Sequence, residues 1–193
     1  MLFMSAIEDL PRRHAITVDE YVRMDEAHVF AQHARLELME GEIVEMAPIG
    51  NAHAAVVNIL DALLGEQAPR AIVSVQNALV LNERSAPQPD VVLLRRRADW
   101  YYSSRPTIGD VFLVVEVADT TLKYDLEVKC PLYARAGIAE LWVVDLERRA
   151  VHVFLQLEEG QYSVHRILSG SDKVTVAALA EVGFPVASLF PIA

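Results

Sequence analysis

The sequence predicts a mixed α+β fold, and three observations carry that reading. Two pairs of short apolar runs are each joined by a polar turn: Leu36–Met46 around Glu40-Gly41, and Val151–Leu168 around Glu158-Glu-Gly-Gln. Asn51–Gln67 carries Val56, Val57, Ile59, Leu60, Leu63 and Leu64 at helical spacing. An almost unbroken apolar run, Asp110–Val117, is followed by a helical stretch and a second apolar run, Leu141–Asp145, which makes a strand–helix–strand unit.

Each element has a local cause. Thr17, with Glu20 three residues later, forms a capping-box pattern and predicts a short helix from that point. Arg35–Pro48 predicts a hairpin with a carboxylate, Glu37, on its first arm. The helix over 51–67 takes Asn51 as its cap and has Pro69 beyond its end. Ala71–Leu81 and Pro89–Leu94 predict two strands separated by the polar connection Asn82–Gln88. A helix over Leu126–Ala136 ends at Gly137, and Pro131 requires a first-turn position or a kink there. Val174–Leu179 predicts an edge strand, and the tail to Phe190 a short turn. The expected organisation is one domain over 17–193 preceded by an extension over 1–16.

Composition narrows the function classes. With 193 residues, 53% hydrophobic and 23% charged, the chain can bury a core, which excludes wholesale disorder. No apolar run approaches the roughly 20 residues of a membrane helix, and Met1-Leu-Phe-Met runs into Glu8 and Asp9 without the pattern of a secretory leader. The single cysteine, Cys130, forms no internal disulfide and reads as a packing residue, consistent with a cytoplasmic location. The net charge of −10 opposes general attraction to nucleic acid. Against that, Arg95-Arg96-Arg97 and Arg105 flank Trp100-Tyr-Tyr, a mixture of bases and aromatics that suits an unstacked nucleotide, although a packed surface loop is the reading to prefer from sequence.

The acids supply the chemistry. Asp90 opens one predicted strand and Glu116 lies near the end of another, so antiparallel pairing would bring both carboxylates to one rim of a sheet, where they repel unless a cation lies between them. Oxygen donors with room for water suit Mg2+ or Mn2+, which activates water and offsets charge on a phosphoryl oxygen. Taken alone, Glu116 reads equally as a strand-end acid reaching solvent. Asp125 and Lys129, four residues apart, read alone as a helix-surface pair. His53 near the start of the long helix can face the same site; His14, His28, His33, His152 and His165 show no metal-like spacing.

Seven pieces, in chain order, carry a resemblance. They are Leu36-Glu-Leu-Met-Glu-Gly-Glu-Ile, Met46-Ala-Pro followed by His53, Gln88-Pro-Asp-Val, Leu113-Val-Val-Glu-Val-Ala-Asp-Thr-Thr, Asp125 with Lys129, Leu132-Tyr-Ala-Arg-Ala-Gly-Ile, and Glu140-Leu-Trp-Val-Val-Asp. Together they resemble the Uma-two family within the PD-(D/E)XK nuclease superfamily, over roughly Thr17 to Phe190. The resemblance implies a restriction-endonuclease-like core, a mixed central sheet flanked by helices with an additional N-terminal hairpin. It also implies metal-dependent endonuclease action on DNA, with Asp90 and Glu116 as metal ligands, Lys129 as catalytic lysine and Glu37 as an accessory acid. Alanine stands at 118, where the simplest superfamily pattern has its lysine, so Lys129 resembles a migrated lysine, with Lys123 in reserve and His53 and Asp125 as accessory candidates. Cutting both strands of a duplex favours a homodimer. Two other readings share the site: a catalytically silent nucleic-acid-binding or protein-interaction module, and a metal-dependent hydrolase of RNA.

Overall fold

The computed structural model describes residues 13–31 and 35–191. His33 and most of the 1–16 extension, including its apolar start, lie outside the described residues. The chain order is α1 (Val18–Glu26), β1 (Leu36–Met39), β2 (Glu42–Glu45), α2 (Asn51–Gln67), β3 (Ala71–Val75), β4 (Val91–Arg95) and β5 (Val111–Ala118). Next come α3 (Leu122–Tyr124), a π-helical turn (Asp125–Lys129), α4 (Cys130–Ala136), β6 (Glu140–Asp145), β7 (Ala150–Glu158) and β8 (Gln161–Ser169), and then β9 (Lys173–Thr175) and β10 (Gly183–Pro185). Short 3-10 turns precede β5 and follow β10.

The central sheet has the order β3-β4-β5-β6-β7-β8 and is antiparallel except for the parallel β5–β6 pair, which α3, the π turn and α4 connect. β5 sits inside the sheet, which explains its continuous apolar sequence. Its side chains alternate between two cores. Leu113, Val115 and Val117 pack with α2 residues Val56, Leu60 and Leu64 and with Phe184 and Val186, whereas Val114 and Ala118 pack with Leu132 and Tyr133 of α4. Glu116 shares the parity of Val114 and Ala118, so it faces α4.

The β1–β2 hairpin closes through a two-residue turn in which Glu40 (φ +51°) and Gly41 (φ +86°) are both left-handed, as a type I′ turn requires. A Cβ on Gly41 would fall 2.7 Å from the Ala15 Cβ, so the close approach of residue 15 also demands glycine. Leu38 pairs across to Ala86, and this seats the hairpin, with Glu37, beside the main sheet.

Several boundaries differ from the sequence reading. The capping box of α1 forms as expected, but α2 is capped by Gly50, and Asn51 is its first helical residue. The first of the two strands read from 71 stops at Val75; Leu79 and Leu81 bond back to Pro87 and Ser85 in a separate turn instead. Asp90 lies just outside β4. The connecting helix begins at Leu122, four residues earlier than expected, and Pro131 lies inside it. Proline lacks the N–H for the helical ladder and its ring clashes with the carbonyl four residues back; the π turn immediately before it, closed by Cys130 N–H donating to Asp125 O, widens the helix at that point. The segment expected as an edge strand from Val174 pairs as β9 with β10, in a two-stranded ribbon apart from the main sheet. Among the described residues no helix is long and apolar enough to cross a membrane.

Candidate active site

The β4–β5 register pairs Val91 with Val115. Continued by one residue, it sets Asp90 opposite Glu116, where side chains of an antiparallel pair lie on the same face. Both are buried, as are Glu37, Asp125 and Lys129. All five line a single pocket of about 60 Å³ together with His53, Gln88, Asp119, Thr121 and the Met46–Gly50 segment. Four buried carboxylates therefore share this space with one ammonium group.

Lys129 Nζ donates to Glu37 Oε1 at 3.0 Å and to Glu116 Oε1 at 3.1 Å. The same Glu116 oxygen accepts from the Tyr133 hydroxyl at 2.6 Å. Asp90 is held by other partners. Its Oδ2 accepts from the Val117 backbone N–H at 2.8 Å and lies 3.0 Å from His53 Nε2, while the Gln76 amide donates to Oδ1 at 3.3 Å. Thr121 Oγ1 donates to Asp125 Oδ2 at 2.7 Å. Two buried polar atoms, Glu37 Oε2 and His53 Nδ1, find no hydrogen-bond partner among the described residues.

These surroundings drive the two central acids apart. Burial pushes the Asp90 carboxyl up, but the hydrogen bond and charge of His53, with the Val117 and Gln76 donors, outweigh it and hold Asp90 below its ordinary value. Burial also pushes Glu116 up; Lys129 opposes it, while Asp125, Asp90 and Glu37 reinforce it, and the result lies well above the ordinary carboxyl range. Asp125 is raised by burial, with Lys129 and Thr121 opposing. Burial alone would lower Lys129, but Glu116, Glu37 and Asp125 together hold it above its usual value, so it remains an ammonium.

Among the described residues no three His, Cys, Asp or Glu side chains are already gathered as a metal cage. The donors are nonetheless hard oxygens in negative excess, and a Mg2+-sized ion is commonly held by one or two carboxylates with water completing its shell. The donor chemistry of Asp90 and Glu116, with an unpartnered Glu37 oxygen in the same pocket, fits such an ion.

Of the residues singled out in the sequence, Glu37, His53, Asp90, Glu116, Asp125 and Lys129 come together in this pocket. Lys123 does not: its side chain is 84% exposed and lies 3.8 Å from Glu127. Tyr133 and Gln76 contact the acids and were not singled out for the site. Tyr133 is wholly buried; the signal available was its place four residues after Lys129, on the same helix.

The family model described as Uma2, "putative restriction endonuclease", matches residues 18–187. None of the curated proteins matches the chain. Among solved structures, a putative nuclease belonging to DUF820 from Anabaena variabilis superposes with a TM-score of 0.65 at 17% identity, covering 91% of this chain and 97% of that one. The mixed sheet flanked by helices is thus a restriction-endonuclease-like fold, and the chain belongs to the Uma2 family of putative restriction endonucleases.

Proposed function

We propose that the protein is a metal-dependent endonuclease that hydrolyses DNA phosphodiester bonds at the pocket between Asp90 and Glu116. The observation carrying this reading is the burial of Asp90, Glu116, Glu37 and Lys129 around one small polar pocket in a chain of this family. Buried acids outnumbering their counter-charge are costly to a fold unless a cation joins them. Asp90 and Glu116 would hold Mg2+ or Mn2+, which when bound supplies a water of lowered pKa and offsets charge on the phosphoryl oxygen.

The chain's own groups have separable tasks. Asp90 stays ionised and is aimed by Val117, His53 and Gln76. Lys129, held as an ammonium, is unsuited to removing a proton; its role is to attract the charge that develops on the phosphoryl group, and Glu37 and Glu116 fix its position. Tyr133 fixes one oxygen of Glu116. The N-terminus of α2, where Gly50 and His53 line the pocket, adds the partial positive charge of a helix start, which favours an approaching phosphate.

The test is cleavage of plasmid and single-stranded DNA, with RNA alongside, in Mg2+ or Mn2+ against EDTA. Wild type should cut only with metal, and Asp90→Ala and Glu116→Ala should each abolish cutting. Lys129→Ala should lose activity, while Lys123→Ala should keep it. An inert wild type with no calorimetric binding of divalent ions would sink the enzyme reading in favour of a silent binding module, and cleavage confined to RNA would reassign the substrate. Sedimentation with and without a duplex tests for a homodimer.

A further inference from the structure

On a chain of net charge −10, five of the 17 lysines and arginines, Arg70, Arg95, Arg96, Arg97 and Arg105, collect at one corner of the fold. The register pairing Ala71 with Arg95 and the bond from Arg96 Nη1 to Pro69 O bring Arg70 beside the loop that leaves β4. Arg97 is neutralised by Asp99 at 2.6 Å. Among the described residues the other four have no acidic partner within ion-pair distance, so the corner is locally cationic.

The same loop presents the largest exposed aromatic surface of the described residues. Trp100 is 61% and Tyr102 96% exposed, although indole burial ordinarily contributes strongly to stability. Arg96 lies over one face of the Trp100 ring at 5.0 Å from its centroid. Trp100 and Tyr101 adopt φ of +52° and +62°, and consecutive left-handed backbone at two bulky residues is costly. A loop shaped only for folding would more economically turn the indole inward.

A groove starts at this corner and shares no lining residue with the acidic pocket. It follows the outer edge of the sheet at β3, lined at one end by Trp100, Tyr101 and Arg105 and at the other by Val75 and Asn77. Those last two flank Gln76, whose amide reaches Asp90. Asp90 immediately precedes β4 and the loop follows it, so the two ends stand about 17 Å apart, the length of a five-residue strand.

We propose that this corner docks single-stranded nucleic acid, with a base stacked on Trp100 and the neighbouring phosphates held by Arg96 and Arg105, the strand running along the β3 edge toward the acidic pocket. The proposal rests on the nuclease reading for its biological sense, but binding at the corner is independent of catalysis. Exposed π surface beside unpaired guanidinium groups favours unstacked bases over a duplex, whose bases are already covered.

The test is a titration of the full-length protein in EDTA with labelled oligo(dT) and, separately, with a duplex of the same length. Trp142 is wholly buried and Trp100 exposed, so quenching of tryptophan emission reports on Trp100. Oligo(dT) should quench that emission and bind more tightly than duplex. Trp100→Ala should weaken binding at least about fivefold, Trp100→Phe should keep affinity while losing the quench, and Arg96→Ala/Arg105→Ala should weaken binding and flatten its salt dependence. Arg166→Ala, on exposed β8, should bind as wild type. Equal affinity of wild type and the corner variants, or an absence of oligonucleotide binding, overturns the inference. Because the titration needs no metal, an inert enzyme that still binds through Trp100 would refute the nuclease reading and leave the corner standing, whereas active cleavage with unaltered binding in the variants would do the reverse.

Discussion

Replacing Lys129 with methionine keeps most of the side-chain volume and removes the one ammonium among four buried carboxylates. The side chain is 2% exposed and donates to Glu37 and Glu116 at 3.0 and 3.1 Å. Breaking a buried ion pair by removing one partner costs about 3–5 kcal/mol, chiefly because the remaining charge is left uncompensated. In a domain of this size that corresponds to a fall in Tm of roughly 6–20 °C. The sign of the pH dependence follows from Glu116, whose folded-state pKa lies above its ordinary value: its contribution is present below the unfolded value and is lost as pH rises through the folded one. Lys129 is the group that opposes this rise, so without it the loss deepens and extends to higher pH. Urea denaturation in EDTA should therefore show a deficit for Lys129→Met that widens as pH rises through the range where Glu116 ionises. Adding Glu37→Gln should recover part of the deficit, because it removes one of the stranded charges. A loss below about 1 kcal/mol at pH 8, or a deficit that narrows as pH rises, would refute the view that Lys129 holds these acids together.

Tyr133→Phe deletes only the hydroxyl donated to Glu116, a buried hydrogen bond whose removal costs about 1–3 kcal/mol, and should lower urea stability by that amount while circular dichroism stays unchanged. Glu140 is buried between Trp142 Nε1 and the Ala177 backbone N–H, and burial, opposed by those two donors, pushes its carboxyl up to about 7 from 4.5. Its contribution is present below the unfolded value and lost as pH rises through about 7, so wild type should lose about 3 kcal/mol relative to Glu140→Gln between acidic and mildly alkaline conditions, read from paired urea melts. Parallel pH profiles for the two proteins would contradict this.

The parts of the fold legible in the sequence were those whose cause is local. The Thr17–Glu20 capping box, the Glu40-Gly41 turn and the apolar run of β5 each follow from a few neighbouring residues, and each forms as read. Three boundaries failed where distant contacts decide. Val75 ends β3 because residues 79–81 find partners at 85–87, which competes with extending the strand. Val174 pairs with Phe184, beyond any local pattern, so an edge-strand reading went astray. The connecting helix reads from Leu126 in sequence but begins at Leu122, and the π turn before Pro131 lets it run through the proline. At the site, spacing gave Asp125 and Lys129 as four apart, which taken alone reads as a solvated pair. What spacing cannot express is that the helix lies against the hairpin, which buries both side chains and brings Glu37, 92 residues distant from Lys129, into hydrogen-bond contact.

The asymmetry between Asp90 and Glu116 gives the site its logic. The two stand opposite one another on adjacent strands, yet one is stabilised as an anion by three donors that carry no compensating buried acid, and the other shares its only cation with Glu37. Asp90 is therefore held toward its charged form, whereas the charge on Glu116 depends on what lies beside it. If Asp90 and Glu116 hold a divalent ion as proposed, Asp90 would offer a carboxylate already ionised and Glu116 one that ionises on binding, so ion binding and proton release would be coupled. That coupling separates this arrangement from a pair of merely structural acids: divalent binding to the folded protein should take up the ion with net proton release, in an amount that grows as pH falls toward the point where Glu116 is fully protonated while Asp90 is not.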